Sequence, residues 1–212
     1  MAKALPSKVP GAWGGGEVAV SFGGYYPNGK AFVFVEFNND GPRGGGPNID
    51  GADGAAAPVT NQANTPIESI EANYPLQINR YGFIQNTEGA GEYRRGIGMV
   101  REFQLLHEEA TLQIRSDRSK FLPWGTQGGE AGTRNYNILN PSSNNTILPS
   151  KFLKILKKGE VYRLIQSGGG GYGNPFNRNP ESVLKDFLEE KITSKHAKNI
   201  YGVVIKENKI NQ

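Results

Sequence analysis

The feature that most restricts how this chain can fold is a glycine run near its C-terminal end. The run reads Ser167-Gly168-Gly169-Gly170-Gly171-Tyr172-Gly173-Asn174-Pro175. Residues without a Cβ permit positive φ, and their amide groups can converge on a carboxylate, a phosphate or another backbone. The run is therefore predicted to be either a binding surface or a tight packing joint. The alternating residues 160–166 before it predict a strand, and a helix is predicted after it.

A strand, a glycine loop and a helix in this order suggest a nucleotide site, and Gly168, Gly170 and Gly173 match the letters of G-x-G-x-x-G. In a dinucleotide-binding fold, however, the helix opens on the fingerprint itself. Here residues 174–178 intervene, and the helix signal begins only at Asn179. No Lys-Ser/Thr pair follows the glycines, which also excludes a P-loop. A structural or interface role is therefore favoured.

Composition narrows the classes of function that remain. Glycine and proline make up about a fifth of the 212 residues, below the roughly 25–30% typical of low-complexity chains. The net charge of +4 is small and its basic residues are scattered, so nucleic acid is not an expected partner. The absence of cysteine excludes thiol nucleophiles, disulfides and thiolate zinc sites. With no long apolar segment, we expect a cytoplasmic protein without a membrane partner.

In the first part of the chain, residues 17–22 and 30–37 are predicted strands joined by an Asn28-Gly29 hairpin turn. The second strand is apolar on both faces, so it is predicted to be a central strand covered on each side. Residues 38–64 then read as a long loop containing Asp50 and Asp53. These aspartates can bind a hard cation, but their spacing does not match a calcium loop, and a turn-forming role is favoured.

A short helix follows, with Thr65 predicted to cap it and Glu68 to complete a capping box. Tyr74-Pro75 is predicted to end it. Glu68 and Glu71 lie on one face of this helix, where a paired-carboxylate site is one interpretation. A cap and a solvated glutamate is the other.

A strand at residues 76–85 leads to a second glycine-rich turn that carries Arg94 and Arg95. Adjacent arginines in such a turn suit bidentate capture of a carboxylate or phosphate, and equally suit a buried ion pair that joins two loops. Residues 99–106 and 111–115 are predicted to form a hairpin. Trp124, in a Pro-Trp-Gly context, is predicted to be a packing anchor.

Residues 134–139 continue the strand pattern, and residues 148–158 form a segment with regularly spaced lysines. Asn179 and Ser194 are predicted to cap two C-terminal helices. The predicted fold is β-rich α+β, with about eight mostly antiparallel strands, a short central helix and a C-terminal helical pair. Residues 1–212 are predicted to form a single domain.

No self-sufficient catalytic set is present, so the catalytic residues stay unknown. His107 and His196 do not form an H-E-x-x-H frame and are expected to be surface or supporting residues. No serine lies in a G-x-S-x-G elbow. The chain offers glycine loops, arginines and carboxylates that a larger assembly can use.

The order of the motifs is more specific than any one of them. Along the chain they are Asp50-Gly51-Ala52-Asp53-Gly54, Asn61, Asn64-Thr65-Pro66-Ile67-Glu68, Glu71, Tyr74-Pro75, Gly89-Ala90-Gly91-Glu92-Tyr93-Arg94-Arg95-Gly96-Ile97-Gly98, Ser116-Asp117-Arg118, Pro123-Trp124-Gly125, the glycine run, Arg178-Asn179-Pro180-Glu181 and Tyr201-Gly202-Val203-Val204. This order resembles the C-terminal half of the hydantoinase B/oxoprolinase family.

The resemblance implies a B-type subunit that works with an ATP-binding A-type subunit on a small cyclic amide such as 5-oxoproline or a hydantoin. ATP with magnesium is expected on that partner, where it serves to phosphorylate the amide oxygen, and none is expected on this chain alone. Relatives among acetone and acetophenone carboxylases phosphorylate ketones or bicarbonate instead. Positioned N–H groups and arginines suit such anionic species. The resulting candidates for binding substrate or partner are Asp50, Asp53, Asn61, Glu68, Glu71, Arg94, Arg95, Arg118, Trp124, Gly168, Gly169, Gly170, Gly171, Tyr172 and Gly173.

The sequence also departs from the family pattern. Asn86-Thr87-Glu88 stands where the family has Asp-Ser-Gly, and Arg94-Arg95-Gly96 stands where it has Arg-Gly-Gly. Gly173-Asn174-Pro175 replaces Gly-Asp-Pro. The family's metal-binding segment has no counterpart, so no metal ligand is assigned and a divalent metal is expected on a complementary N-terminal half. The chain is then one product of a split gene, an isolated domain or a remnant.

The leading hypothesis is a component of an ATP-dependent cyclic-amide hydrolase that is active only with the complementary half and the A-type subunit. The alternatives are a noncatalytic assembly module of such a complex and a subunit of a related ketone carboxylase.

Overall fold

The computed structural model describes residues 4–15, 18–37, 43–55 and 63–211, and in this part the chain forms eleven strands and three α-helices. The strands are β1 (Ala19–Tyr25), β2 (Ala31–Glu36), β3 (Leu76–Phe83), β4 (Met99–Leu105), β5 (Glu109–Arg115), β6 (Tyr136–Leu139), β7 (Thr146–Leu148), β8 (Lys151–Lys157), β9 (Val161–Ile165), β10 (Val204–Lys206) and β11 (Lys209–Asn211). The helices are α1 (Ile67–Asn73), α2 (Pro180–Leu188) and α3 (Ser194–Tyr201), with a 3₁₀ turn at Pro175–Asn177. The predicted fold class is confirmed, although the strands outnumber the eight expected.

Two antiparallel sheets pack face to face around the main hydrophobic core. One has the strand order β2-β1-β5-β8 and the other has the order β3-β4-β9-β6-β7. Phe22 on β1 packs against Phe103 on β4 with 5.5 Å between ring centroids, and Phe34 on β2 lies 6.1 Å from the same ring. Alternating large side chains therefore close the space between the sheets, as expected for a sandwich.

The first hairpin forms as predicted, because β1 and β2 pair antiparallel on either side of the Asn28-Gly29 turn. The prediction that the second strand is central is wrong. β2 is the edge of its sheet, and only its even-numbered side chains, Phe32 and Phe34 among them, face the core. Val33 is 62% exposed, since no layer of the described chain covers the outer face of this sheet. A strand with apolar residues on both faces is therefore not necessarily buried on both faces.

The predicted hairpin between residues 99–106 and 111–115 is also wrong. Both strands form, but β4 pairs with β3 and β9, whereas β5 pairs with β1 and β8. The three residues between them carry the chain from one sheet to the other. The buried faces of β4 and β5 therefore meet across the core instead of lying side by side.

The short helix α1 forms and ends at Tyr74 as predicted, but the capping box does not form. Pro66 occupies the N-cap position, and no side chain caps the helix. The Thr65 amide instead donates to Oε1 of Glu36 (2.7 Å), and the Thr65 carbonyl accepts from Arg101 (2.8 Å). Thr65 is therefore part of a connection between the helix and the two sheets.

The C-terminal helical pair packs on a second, smaller apolar cluster. Asn179 caps α2 as predicted by accepting from the Glu181 amide (2.9 Å). Thr193, not Ser194, caps α3, since its hydroxyl accepts from the His196 amide (3.2 Å). Gly202 ends α3 with a φ of 72°, a conformation that favours glycine. The buried members of this cluster are Ala90, Val183, Ile192, Ala197, Tyr201, Val203 and Ile205. None of the described helices has the length and apolar composition that crossing a membrane requires.

Candidate functional site

The glycine run lies inside the molecule, where its amide groups are already in use. The Gly170 amide donates to the Ala12 carbonyl (2.9 Å), Gly171 to Glu130 (2.9 Å) and Gly173 to Thr126 (3.0 Å). The Gly168 amide donates to the Thr133 hydroxyl (3.0 Å). Because these donors are satisfied by the chain itself, they do not form a cradle for a phosphate.

Close approach of backbones explains why these residues are glycines. A Cβ at Gly168 would lie 1.5 Å from the Thr87 carbonyl oxygen, and one at Gly170 would lie 1.8 Å from that of Trp124. Most of the run does not need positive φ, and Gly173 is the exception at 74°. We call the glycines that touch the backbone of another loop in this way the glycine core: Gly11, Gly44, Gly45, Gly89, Gly91, Gly98, Gly129, Gly132, Gly168, Gly170 and Gly171. This arrangement corresponds to the interpretation of the run as a tight packing joint.

Tyr172 and Trp124 sit at the rim of the glycine core. Tyr172 exchanges two backbone hydrogen bonds of 3.0 Å with Tyr93, and their rings lie 6.4 Å apart. Trp124 is 50% exposed, so the prediction that it is a packing anchor is wrong. Its backbone makes the tight contacts instead, because its carbonyl accepts from the Ala12 amide (2.8 Å).

Arg94 belongs to a buried network of alternating charges. Its Nε donates to Asp186 (2.8 Å) and its terminal nitrogen to Asp53 (3.1 Å). Arg178 bridges Asp186 (2.8 Å) and Asp50 (2.7 Å), and Lys191 contacts Asp53 (3.0 Å). This charged cluster comprises Asp50, Asp53, Arg94, Arg178, Asp186 and Lys191. The three cations and three carboxylates of this set balance in charge, which suits burial. Lys191 also pairs with the more exposed Glu189 (2.6 Å).

The pKa shifts in the charged cluster follow from these pairs. Burial disfavours the charged form of Arg94, but the carboxylates of Asp186 and Asp53 outweigh it and raise the pKa of Arg94 above its usual value. Burial likewise opposes ionisation of Asp53, but Arg94, the Ile97 amide and Lys191 together lower the pKa of Asp53. All three partners of Asp53 therefore stabilise its ionised form.

The Arg95 side chain lies outside the charged cluster, unlike that of Arg94. Its side chain is fully buried, and its three guanidinium nitrogens have no hydrogen-bond partner among the described residues. The guanidinium lies against the backbone of Gly169, where a Cβ would come within 1.6 Å of Cζ. Burial and then the nearby charge of Arg118 lower the pKa of Arg95 well below its usual value. The two adjacent arginines thus have separate surroundings.

Arg118 lines a surface cavity of about 500 Å³ at the end of β5. Its φ of 58° is unusual for a residue with a side chain, and its Nε is buried without a partner among the described residues. A second cavity, of about 270 Å³, is lined by Asp50, Arg178 and the polar residues around them. Of the predicted residues, Arg118 therefore lines one of these cavities and Asp50 lines the other.

Glu68 and Glu71 lie away from this region. Both are exposed on α1, and Glu71 accepts from the Ile78 amide (2.8 Å). The structure therefore does not unite these two glutamates with the glycine core. Asn61 lies outside the described residues. As for the histidines, Nε2 of His196 lies 2.7 Å from Glu88, and His107 contacts the Tyr25 carbonyl (2.8 Å).

Sequence reasoning missed half of the charged cluster, namely Arg178 as an ion-pair partner, Asp186 and Lys191. The detectable signal for Asp186 was its position three residues after Val183, on the apolar face of α2. A charge on such a face needs a buried partner.

The described residues do not fit a resident metal or nucleotide. In the part of the chain that the structure covers, no three histidine, aspartate or glutamate side chains converge on one point. The clustered carboxylates of Asp50, Asp53 and Asp186 are each neutralised by arginine or lysine. The glycine amides are used internally, as described above.

Comparison with solved structures shows where this fold has been seen before. The fold matches the crystal structure of ATP-dependent caprolactamase from Pseudomonas jessenii with a TM-score of 0.85 and 24% identity, over 98% of this chain and 38% of that one. It matches the nucleotide-free structure of acetone carboxylase with a TM-score of 0.72 and 19% identity, over 92% of this chain and 31% of that one. Both likenesses show that this fold also occurs as part of longer chains.

Sequence comparison gives the family. The family model for hydantoinase B/oxoprolinase matches residues 1–175. The B-type subunit of a putative D-/L-hydantoinase from Pseudomonas sp. (strain NS671) is 35% identical over 211 residues, which cover 98% of this chain and 35% of that protein. The chain belongs to the hydantoinase B/oxoprolinase family, and it spans about a third of the length of this relative.

Proposed function

We propose that this chain is a component of an ATP-dependent hydrolase of cyclic amides of the hydantoin or 5-oxoproline type. We further propose that residues 1–212 are one domain, corresponding to the C-terminal part of a B-type subunit. The observation that carries the proposal is the 35% identity to the B-type subunit of a putative hydantoinase, which extends over nearly the whole chain.

The chemistry is divided among separate parts under this proposal. ATP with magnesium belongs to an A-type subunit, and a divalent metal belongs to the complementary N-terminal part of the B-type subunit. This division is supported by the internal use of the glycine amides and by the neutralised carboxylates of Asp50, Asp53 and Asp186. A free carboxylate set and free amides are what a metal and a phosphate need.

The predicted binding residues divide into two roles under this proposal. Arg94, Asp53 and the glycine run act from inside, by holding the loops in one arrangement. Arg118, Trp124 and Asp50 reach the surface and are the ones that contact the substrate or the adjoining protein. Positioning of this kind lowers the entropy cost of bringing the reacting groups together.

The direct test is reconstitution. We expect the purified chain alone to show no ATP hydrolysis that depends on 5-oxoproline or hydantoin. We expect turnover when the A-type subunit and the complementary part of the B-type subunit are added. Substrate-dependent turnover by the isolated chain contradicts the proposal. A complex that instead incorporates labelled bicarbonate into a ketone identifies a carboxylase.

A noncatalytic assembly module is the second candidate, and the internal character of the glycine core and charged cluster favours it. Trp124→Ala separates the two candidates, because an exposed side chain can be removed without disturbing the core. Weaker assembly with unchanged turnover per assembled complex supports the module, whereas reduced turnover in the assembled complex supports a contact with substrate. Ile147→Ala, exposed on β7, is the matched control.

A further inference from the structure

The 500 Å³ cavity at the end of β5 has a positively charged lining. Among the described residues that line it, Arg118, Lys120 and Lys151 are basic and Asp117 is the one acidic residue. These described residues carry a formal excess of two positive charges. Concave walls of one sign concentrate the electric field and attract ions of the opposite sign.

Two polar atoms at this cavity are buried without a partner among the described residues. They are Nε of Arg118 and the hydroxyl oxygen of Ser119. Other hydroxyls nearby are used by the protein, since Ser116 donates to the Ser150 carbonyl (3.0 Å). Buried donors that lack a partner are costly, and an incoming acceptor would relieve that cost.

We propose that this cavity binds the oxyanion group, a carboxylate or a phosphate, of a small molecule. Arg118 and Ser119 hold the oxygens, and Lys120 and Lys151 supply electrostatic attraction at the mouth of the cavity. Guanidinium groups suit this task because they present several donors in one plane to two oxygens. The inference does not depend on the proposed function, since it rests on the cavity alone.

The test is titration of the 212-residue chain with inorganic phosphate and, separately, with acetate, followed by calorimetry at constant ionic strength set with sodium chloride. We expect saturable binding of one of the two with a dissociation constant on the order of 1 mM. Preference for phosphate or acetate identifies the oxyanion. The absence of saturable binding of both, up to about 10 mM, overturns the proposal.

Variants assign the binding to this cavity. We expect Arg118→Gln to weaken binding by about tenfold or more, because a charge-assisted hydrogen bond is lost. Lys151→Gln, an exposed position on β8 whose loss leaves the fold intact, should weaken binding by a smaller factor. Arg80→Gln, exposed on β3, is the matched control and should change nothing. Equal affinity in Lys151→Gln, Arg118→Gln and the control variant contradicts the proposal.

Discussion

Asp186 shows how much a single residue contributes in this fold. Each of its two carboxylate oxygens accepts from a different buried arginine, Arg94 at 2.8 Å and Arg178 at 2.8 Å. These arginines come from different loops, so Asp186 joins α2 to both. Removing one member of a buried ion network leaves the others with uncompensated charge, which costs more than the loss of an exposed pair.

We therefore expect Asp186→Asn to lower the free energy of unfolding by about 3 kcal/mol, toward the low end of the range for buried pairs because each arginine keeps a second carboxylate. Urea denaturation followed by circular dichroism measures this change. Glu109→Gln, which breaks the exposed pair with Lys157, is the control and should leave the transition unmoved. Equal midpoints for Asp186→Asn and the wild-type chain would show that the network does not stabilise the fold.

At the scale of elements, the distinctive feature of this sandwich is the close packing of its loops rather than the pairing of its strands. Glycines in one loop touch the backbone of the next, so that backbones take the place that side chains fill in an ordinary core. Gly89 touches Gly169, and Gly129 touches Gly171, so glycines contact glycines. Such packing leaves no space for even one methyl group. The run is consequently fixed in place by atoms that cannot move aside.

Gly170→Ala tests this packing, because its Cβ would lie 1.8 Å from the backbone oxygen of Trp124. We expect a loss of stability of more than about 3 kcal/mol, since a backbone atom cannot adjust as a side chain can. Gly82→Ala on β3 is the control. No atom lies within 4 Å of its Cβ position, and a small gain of about 0.5 kcal/mol is expected from the reduced freedom of the unfolded chain. Thermal melts that rank the two variants the other way contradict the close-packing account.

At the scale of the whole molecule, the charged cluster joins the C-terminal helical pair to the loops at one end of the sandwich. Residues 176–212 supply Arg178, Asp186 and Lys191, whereas the earlier residues supply Asp50, Asp53 and Arg94. The smaller apolar cluster crosses the same boundary through Ala90. Both observations indicate that the two parts depend on each other for stability, although the family model ends at residue 175.

Truncation after residue 175 should therefore cost a large fraction of the total stability, which for domains is typically about 5–15 kcal/mol. We expect the shortened chain to lose its cooperative melt by circular dichroism, because the pair of Arg94 with Asp186 and most of the smaller apolar cluster are then lost. Adding residues 176–212 as a separate peptide should restore the transition. A shortened chain that melts as cooperatively and at as high a temperature as the full one contradicts this expectation.

Local features were predictable from the sequence because each depends on residues a few positions apart. The Asn28-Gly29 hairpin, the end of α1 at Tyr74 and the Asn179 cap are set by backbone preferences and by hydrogen bonds within one turn. The order of the motifs likewise sufficed to assign the family. The sequence identified the glycine run as a candidate packing joint, but it did not identify the residues that pack against the run.

Tertiary structure alone decided which strands pair, which face of β2 is covered and which groups each arginine contacts. Arg94 and Asp186 are 92 positions apart, and no local pattern links them. Arg94 and Arg95 are adjacent, yet one has two carboxylate partners and the other has none among the described residues. Neighbouring residues in extended chain point in opposite directions, so their environments depend on how distant segments pack around them. The sequence by itself therefore determined the elements and the family, and the long-range packing of loops determined the charged cluster and the oxyanion cavity.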